Sequence, residues 1–163
     1  MGEFKYSVSA IGQDSHLFTD EDKPLILGGV LFEGSHGMLA NSDGDVVLHA
    51  LTNAISGLTA HNILGKPADE LCKKGITDST AYLQLALDDL KRKSMSLVHI
   101  SVSIECKTPK ITPKIASMRE KIGELCGIQT EAVGITATTG EELTSFGRGE
   151  GIAVICIVTA IKD

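Results

Sequence analysis

The chain has 163 residues, of which 42% are hydrophobic, 22% are charged and 4% are aromatic, and its formal net charge is −6. This length fits one globular domain, which we expect to span residues 1–163. The acidic balance and the scarcity of aromatic rings argue against nucleic acid as a partner, because phosphates require cations and bases require rings for stacking. The longest apolar run, residues 151–161, is shorter than the roughly 20 residues of a membrane helix and is predicted to be a buried strand.

The first residues, Met1–Tyr6, show neither a secretion signal nor a myristoylation motif, which would require Ser or Thr at position 6. The cysteines at 72, 106, 126 and 156 are scattered and form no Cys-x-x-Cys pair, which is typical of reduced structural thiols. These features predict a cytoplasmic protein without a membrane segment.

The first third of the chain is predicted to contain two strands and a helix. Residues 8–12 and 25–32 read as strands, and the polar stretch 14–23 between them is predicted to be a loop. A helix is predicted to begin near Asp45, with an apolar stripe on one face and polar side chains on the opposite face. The stripe consists of Val47, Ala50, Leu51 and Ala54, and the polar face consists of Asp45, His49, Thr52, Asn53 and Ser56.

The remainder of the chain alternates between helices and strands. Residues 61–77 show no periodicity and are predicted to be a connecting segment. Helices are predicted over about 78–93 and from Pro113 to Gly127, and strands over 98–106, 132–137 and 152–161. The last strand is apolar on both faces, so it is either central in its sheet or lines a subunit interface. The predicted fold class is α/β or α+β, a mixed sheet with helices on one side.

One histidine and one carboxylate lie two residues apart at Asp14 and His16, and an extended chain places both on the same side. His49, one turn inside the helix, could complete the two-histidine, one-carboxylate set of a catalytic zinc site with an open fourth position. The alternative is a surface turn at 14–16 and a hydrogen-bonded histidine at the edge of the core. From its position one turn earlier, Asp45 is predicted to orient the His49 ring.

Several loops could bind an anion. Residues 41–45 offer a helix N-terminus, and residues 106–110 bring two lysines to the end of a strand. Residues 138–141 and 147–151 combine hydroxyls, a carboxylate and a guanidinium, which suit phosphates or a metal. The alternatives are an ordinary capped helix start, a solvated turn, and a connecting loop with an Arg–Glu pair.

These segments, taken in order, resemble the 2-C-methyl-D-erythritol 2,4-cyclodiphosphate synthase family of the non-mevalonate isoprenoid pathway. The resemblance covers about residues 7–161 and implies a single synthase-like domain. It rests on Gly12-Gln-Asp-Ser-His16, Leu27-Gly-Gly-Val30, Ser42-Asp-Gly-Asp-Val-Val-Leu-His49, Pro109-Lys110, Thr138-Thr139-x-Glu141 and Gly147-Arg-Gly-Glu-Gly-Ile152.

The resemblance implies a homotrimer with active sites at subunit interfaces. It implies zinc on Asp14, His16 and His49, and Mg²⁺ or Mn²⁺, bound to the substrate diphosphate, on Glu141. The neighbouring subunit would supply a cytidine-diphosphate pocket from residues 106–112 and 137–139. The substrate-binding positions implied are Ser15, Ser42, Gly65, Cys106, Lys110, Ala137, Thr138, Gly140 and Arg148, and Arg148 with Glu150 would also lie at one end of a central channel that can hold an isoprenoid diphosphate.

The reaction implied is a cyclisation in which the substrate's 2-phosphate attacks the β-phosphorus of its cytidine diphosphate and CMP leaves. Thr139 and Asn41 occupy the positions of the family's transition-state stabilisers, although better-known members have His where this chain has Asn41. They also have acidic residues at the places of Asn53 and Ile63, which bind the polyol hydroxyls. Two alternatives follow: a related CMP-releasing cyclase for another polyol, or a non-catalytic trimer that binds isoprenoids.

Overall fold

The computed structural model of the protein describes residues 5–162, so most of the segment Met1–Tyr6 lies outside the described residues. Its main sheet is mixed and has the strand order β1-β6-β4-β5. Strand β6 pairs antiparallel with β1 and β4, whereas β4 and β5 are parallel. The strands are β1 (Tyr6–Leu17), β4 (Met95–Glu105), β5 (Val133–Thr138) and β6 (Gly151–Lys162), and a separate hairpin contains β2 (Leu25–Leu27) and β3 (Val30–Phe32).

Within residues 5–162, four α-helices accompany the sheet: α1 (Val46–Thr59), α2 (Lys66–Lys73), α3 (Ser79–Arg92) and α4 (Ile115–Cys126). One boundary of three of them was predicted: the start of α1 from its apolar periodicity, the start of α3 from a cap at Asp78, and the end of α4 from Gly127. Asp45 and Asp78 cap α1 and α3 with their side chains, and Gly127 ends α4 in the left-handed conformation. The α+β class, the mixed sheet and the central place of the last strand are therefore confirmed.

The two faces of the sheet differ in their cover. On β6 the side chains of Ile152, Val154, Cys156 and Val158 are buried towards the helices, whereas the alternating residues Ile155 and Ile157 are each 46% exposed. Ile11 of β1 pairs in register with Ile157 and is 63% exposed. An apolar outer face, defined by Ile11, Ile155 and Ile157, is therefore uncovered in the single chain.

Two predictions for the first part of the chain were wrong. Residues 14–17 belong to β1 rather than to a loop, because β6 pairs with their backbone, with Asp14 opposite Val154 and His16 opposite Ile152. Residues 25–32 form a hairpin instead of one strand, because Gly28 and Gly29 both have positive φ angles (59° and 74°), as a two-residue hairpin turn requires.

Two helical predictions also need correction. The segment 61–77 contains α2, whose eight residues bury only Ala68 and so leave no apolar period to detect. The polar face predicted for α1 is largely buried, since Thr52 and Ser56 are 0% and 3% exposed. Their hydroxyls are satisfied internally: Thr52 donates to the Leu48 carbonyl at 2.7 Å and Ser56 accepts the Ile63 N–H at 3.4 Å.

Strand β1 lies unusually close to helix α1 at Gly12. A Cβ at this position would stand 2.2 Å from the Ala54 backbone nitrogen and 2.3 Å from the Ala50 carbonyl oxygen. Only glycine permits this approach, which brings the following residues of β1 beside the first turn of α1.

Within residues 5–162, no helix combines the length and hydropathy needed to cross a membrane. All four cysteines are unpaired, as the spacing of the cysteines predicts.

Candidate active site

Asp14, His16 and His49 converge at the junction of β1 and α1. Asp14 Oδ2 lies 2.9 Å from His16 Nε2 and 3.0 Å from His49 Nδ1, and the two nitrogens are 3.4 Å apart. Tetrahedral zinc with bonds of about 2.0–2.2 Å holds its ligand atoms about 3.3–3.6 Å apart, close to these separations. Within residues 5–162 this is the one group of three or more such side chains that could hold a metal ion.

The electrostatics of Asp14 also suit a cation. Burial by itself raises the pKa of Asp14, but hydrogen bonds with His16 and His49 outweigh it and lower the pKa to about 2. The hydrogen bond with Asp14 likewise raises the pKa of His16 above its usual value. A carboxylate that stays ionised at neutral pH beside two imidazoles is a donor set for a divalent metal such as zinc.

The prediction that Asp45 orients the His49 ring is wrong. The carboxylate of Asp45 is fully buried and accepts four backbone N–H groups, so it makes no hydrogen bond with the ring. Two of the donors are Val47 and Leu48 in the first turn of α1, and the other two are Gly28 and Gly29 in the β2–β3 turn. Asp45 therefore caps the helix and ties it to the hairpin.

Ser79 contacts His49 in place of Asp45, and Asp43 in turn contacts Ser79. Ser79 Oγ lies 2.8 Å from His49 Nε2, and the Ser79 hydroxyl donates to Asp43 Oδ1. Ser42 Oγ is a longer contact of the same nitrogen, at 3.3 Å. Sequence reasoning treated 78–79 only as a helix start, and no local pattern connects Ser79 with a histidine 30 residues earlier.

A cavity of about 610 Å³ opens above the three converging side chains. It brings together Asn41, Ser42 and Gly65 with the triad, as the resemblance implies for one half of a substrate site. Asn41 is exposed and Ser42 is buried, so the amide is free to meet a ligand at the rim. The other residues lining this cavity are Glu21, Leu39, Ala40, Leu64, Ala68, Asp69, Cys72 and Tyr82.

Neither position expected to bind polyol hydroxyls lines this cavity. Asn53 donates its side-chain amide to the Gln13 carbonyl at 3.0 Å, and Ile63 is 2% exposed. Asp69, in the first turn of α2, supplies a carboxylate to the cavity instead. Positions 53 and 63 therefore lie outside this cavity, unlike what the resemblance implies.

A second cavity, of about 450 Å³, contains Thr139 and Glu141 with Lys107, Lys110, Glu142 and Gly147. Lys107 Nζ pairs with Glu142 Oε1 at 2.7 Å, so Lys110 is the cation of this cavity that the ion pair leaves available. Glu141 and Glu142 have φ angles of 48° and 62°, a costly conformation for residues other than glycine. Within one chain, Glu141 and Thr139 line a different cavity from the triad.

The remaining predicted residues lie near this second cavity or on the sheet, without lining it. Cys106 is buried, and burial raises the pKa of its thiol to about 11. Ala137 and Thr138 are exposed at the end of β5, and the Gly140 N–H donates to the Thr138 hydroxyl at 3.2 Å. Arg148 forms the expected pair with Glu150 at 3.1 Å, and Ser15 lies on the outer side of β1 in a groove with Glu105 and Phe146.

Residues 8–161 match the YgbB family. A protein of Chlamydia muridarum named 2-C-methyl-D-erythritol 2,4-cyclodiphosphate synthase is 50% identical, with 98% of this chain and 90% of the relative covered. A relative of the same name from Chlamydia caviae is also 50% identical and covers 93% of this chain and 88% of the relative.

Solved structures of two other organisms have the same fold. The bifunctional IspDF of Campylobacter jejuni superimposes with a TM-score of 0.90 at 29% identity, covering 98% of this chain and 43% of the bifunctional chain. The IspF–CDP complex of Plasmodium falciparum has a TM-score of 0.84 at 22% identity, and the match covers 99% of this chain and 100% of the Plasmodium chain. At this identity, the likeness supports the fold alone. Because residues 8–161 match the family and the relatives named above are 50% identical to it, the chain belongs to the YgbB family.

Proposed function

We propose that the protein converts 4-diphosphocytidyl-2-C-methyl-D-erythritol 2-phosphate into 2-C-methyl-D-erythritol 2,4-cyclodiphosphate with release of CMP, a step of isoprenoid precursor biosynthesis in the cytoplasm. The observation that carries this proposal is the convergence of Asp14, His16 and His49 beneath a cavity lined by Asn41 and Ser42. It occurs in a chain that is 50% identical to proteins named as this synthase.

Asp14, His16 and His49 would hold zinc, and Glu141 would be the protein ligand of Mg²⁺ or Mn²⁺ on the substrate diphosphate. When bound, these ions supply positive charge beside the transferring phosphoryl group, which an acidic chain needs. The donor chemistry fits: two imidazoles and a carboxylate suit zinc, and an exposed carboxylate suits a hard, oxygen-seeking cation.

The chain's own residues have a modest task in this reaction. The attacking 2-phosphate is a monoester already ionised at neutral pH, so no general base is required, and catalysis depends on positioning and charge stabilisation. The Asn41 amide and the Thr139 hydroxyl donate hydrogen bonds to the oxygens that gain charge. Lys110 adds a cation for the cytidine diphosphate, and Ser42 is a hydroxyl ligand for phosphate.

A complete site requires the two cavities to face each other across a subunit interface, because the triad and Thr139 line different cavities of one chain. We propose a homotrimer in which each site takes one cavity from each of two neighbours. The uncovered apolar outer face supports this assembly, since a two-sided apolar strand is suited to burial between copies. Arg148 and Glu150 would lie at one end of the central channel and could meet an isoprenoid diphosphate there.

A second candidate is the same CMP-releasing cyclisation on a different polyol. The observation that favours it is the loss of polyol-binding carboxylates at Asn53 and Ile63, neither of which lines the cavity. The retained triad and Glu141 disfavour a non-catalytic isoprenoid-binding protein, since such a trimer has no use for metal ligands.

The deciding experiment is incubation of the zinc-loaded protein with the cytidine-diphospho substrate and Mg²⁺, followed by chromatography for CMP and ³¹P NMR of the product. We expect CMP and the cyclic diphosphate in equal amounts, and no CMP from the His49→Ala variant. CMP release from an analogue with another polyol, and none from the methylerythritol substrate, would favour the second candidate. No CMP from either substrate would reject both enzymatic proposals.

A further inference from the structure

The ring of His49 is held on both of its nitrogens. Nδ1 faces the metal-site atoms of Asp14 and His16, and Nε2 faces Ser79 on the opposite side. Ser79 is the first residue of α3 and is fully buried, so bulk water does not compete for its hydroxyl. A hydrogen bond held at Nε2 therefore sets the orientation of the ring and the direction in which Nδ1 points.

The proton positions follow from the number of donors available. Ser79 has one hydroxyl hydrogen, and it is donated to Asp43 Oδ1, a carboxylate oxygen that can only accept. With that hydrogen committed, the Ser79 oxygen can only accept from His49 at 2.8 Å. A hydrogen on Nε2 satisfies this contact, whereas a lone pair on Nε2 would face a second lone pair at 2.8 Å; Ser42 Oγ lies farther from the same nitrogen, at 3.3 Å.

Asp43 is itself fixed in place. Its carboxylate accepts the backbone N–H groups of Ser79 and Asp45, each at 3.0 Å, and its own N–H donates to the Thr77 carbonyl at 2.8 Å. The direction of the whole hydrogen-bond chain is therefore determined by the Asp43 carboxylate and not by a freely rotating hydroxyl.

We propose that Ser79 and Asp43 are positioning residues that hold the Nε2–H of His49 and so direct Nδ1 at the metal site, where zinc would take the place of the hydrogen that Nδ1 donates to Asp14 Oδ2 at 3.0 Å. They link the loop before α1 and the start of α3 to the metal site. Carboxylate-backed partners of this kind commonly raise metal affinity by about 10- to 100-fold. This inference rests on the proposed zinc site and adds the residues that determine its affinity.

The test is zinc affinity, measured by competition with a chromophoric chelator. We expect Ser79→Ala to weaken zinc binding by about 10- to 100-fold and Asp43→Asn to weaken it measurably. The double variant should be no weaker than Ser79→Ala, because Asp43 acts on the ring through Ser79. The helix cap of α3 is supplied by Asp78, so it remains in each variant.

Ser56→Ala is the matched control, since Ser56 is a buried hydroxyl on the same helix as His49 but contacts Ile63 and not the ring. It should retain wild-type zinc affinity even where it lowers the unfolding midpoint as much as Ser79→Ala does. Wild-type affinity in Ser79→Ala, or equal losses in Ser79→Ala and Ser56→Ala, would overturn the inference. Absence of zinc binding by the wild-type protein would instead overturn the metal site itself.

Discussion

Substitution of Asp45 should change the stability of the fold without changing zinc affinity, so it separates a structural role from a metal-binding role. Its side chain is fully buried, and Asp45→Ala would remove an acceptor of four backbone N–H groups at 2.7–3.1 Å. A buried donor left without a partner costs about 1–3 kcal/mol, and a lost helix cap alone costs about 1 kcal/mol. Allowing for water entry at some of the four, we expect Asp45→Ala to lower the free energy of unfolding by about 3–5 kcal/mol.

Asp45→Asn should cost much less, because three of the four N–H groups bond the same oxygen, Oδ1, and only that of Gly29 bonds Oδ2. An amide retains one oxygen, so we expect a loss of about 1–2 kcal/mol. Asp78→Ala is the matched control, since Asp78 caps α3 from an exposed position and should cost about 1 kcal/mol.

The assay is urea unfolding followed by far-UV circular dichroism at one protein concentration, with zinc affinity measured on the same samples. For a chain of this length, Asp45→Ala should also lower Tm by about 6–20 °C. Zinc affinity of the folded protein should change little. A purely structural role for Asp45 is refuted if Asp45→Ala is no more destabilising than Asp78→Ala, or if this variant binds zinc 10- to 100-fold more weakly at unchanged stability.

Three further predictions concern the site. Gly12→Ala should destabilise the protein by at least about 1–3 kcal/mol in a urea melt, because its Cβ would stand 2.2 Å from the Ala54 nitrogen; an unchanged midpoint would contradict the close approach. Asn41→Ala should lower kcat by about 10- to 1000-fold in the CMP assay, and an unchanged kcat would limit Asn41 to a structural role. Inactive His49→Ala and Thr139→Ala chains, unfolded together and refolded, should regain up to about a quarter of wild-type activity, because only one interface in four joins two intact cavities; no recovery would argue against a shared site.

The parts of the fold that the sequence predicted correctly are those with strong local signals. Helix α3 has an Asp cap and a clear apolar period, and α4 ends at a glycine in the left-handed conformation. Asp14 and His16 were expected on one side of an extended chain, and β1 holds them so. Spacing along one strand or one helix is set by backbone geometry alone, so it can be read without tertiary information.

The errors arose where the deciding partner is distant in the chain. Residues 14–16 are polar, and only pairing with β6, more than 130 residues later, makes them part of a strand. Asp45 lies one turn before His49, which led to the prediction that it orients the histidine ring. Its carboxylate instead accepts hydrogen bonds from the backbone of its own helix, because it caps that helix. The contact of His49 with Ser79 depends on how α3 packs against α1, which no periodicity encodes.

If the uncovered apolar outer face is buried in the proposed trimer, stability becomes a function of protein concentration. In the proposed trimer, Ile11, Ile155 and Ile157 pass from water into an interface, so part of the hydrophobic stabilisation of each chain depends on its neighbours. By mass action, each tenfold dilution of a three-chain assembly in equilibrium with unfolded chains favours unfolding by about 0.9 kcal/mol per chain. We therefore expect the proposed trimer to have a lower unfolding midpoint in dilute solution than in concentrated solution, with every contact inside the chain unchanged.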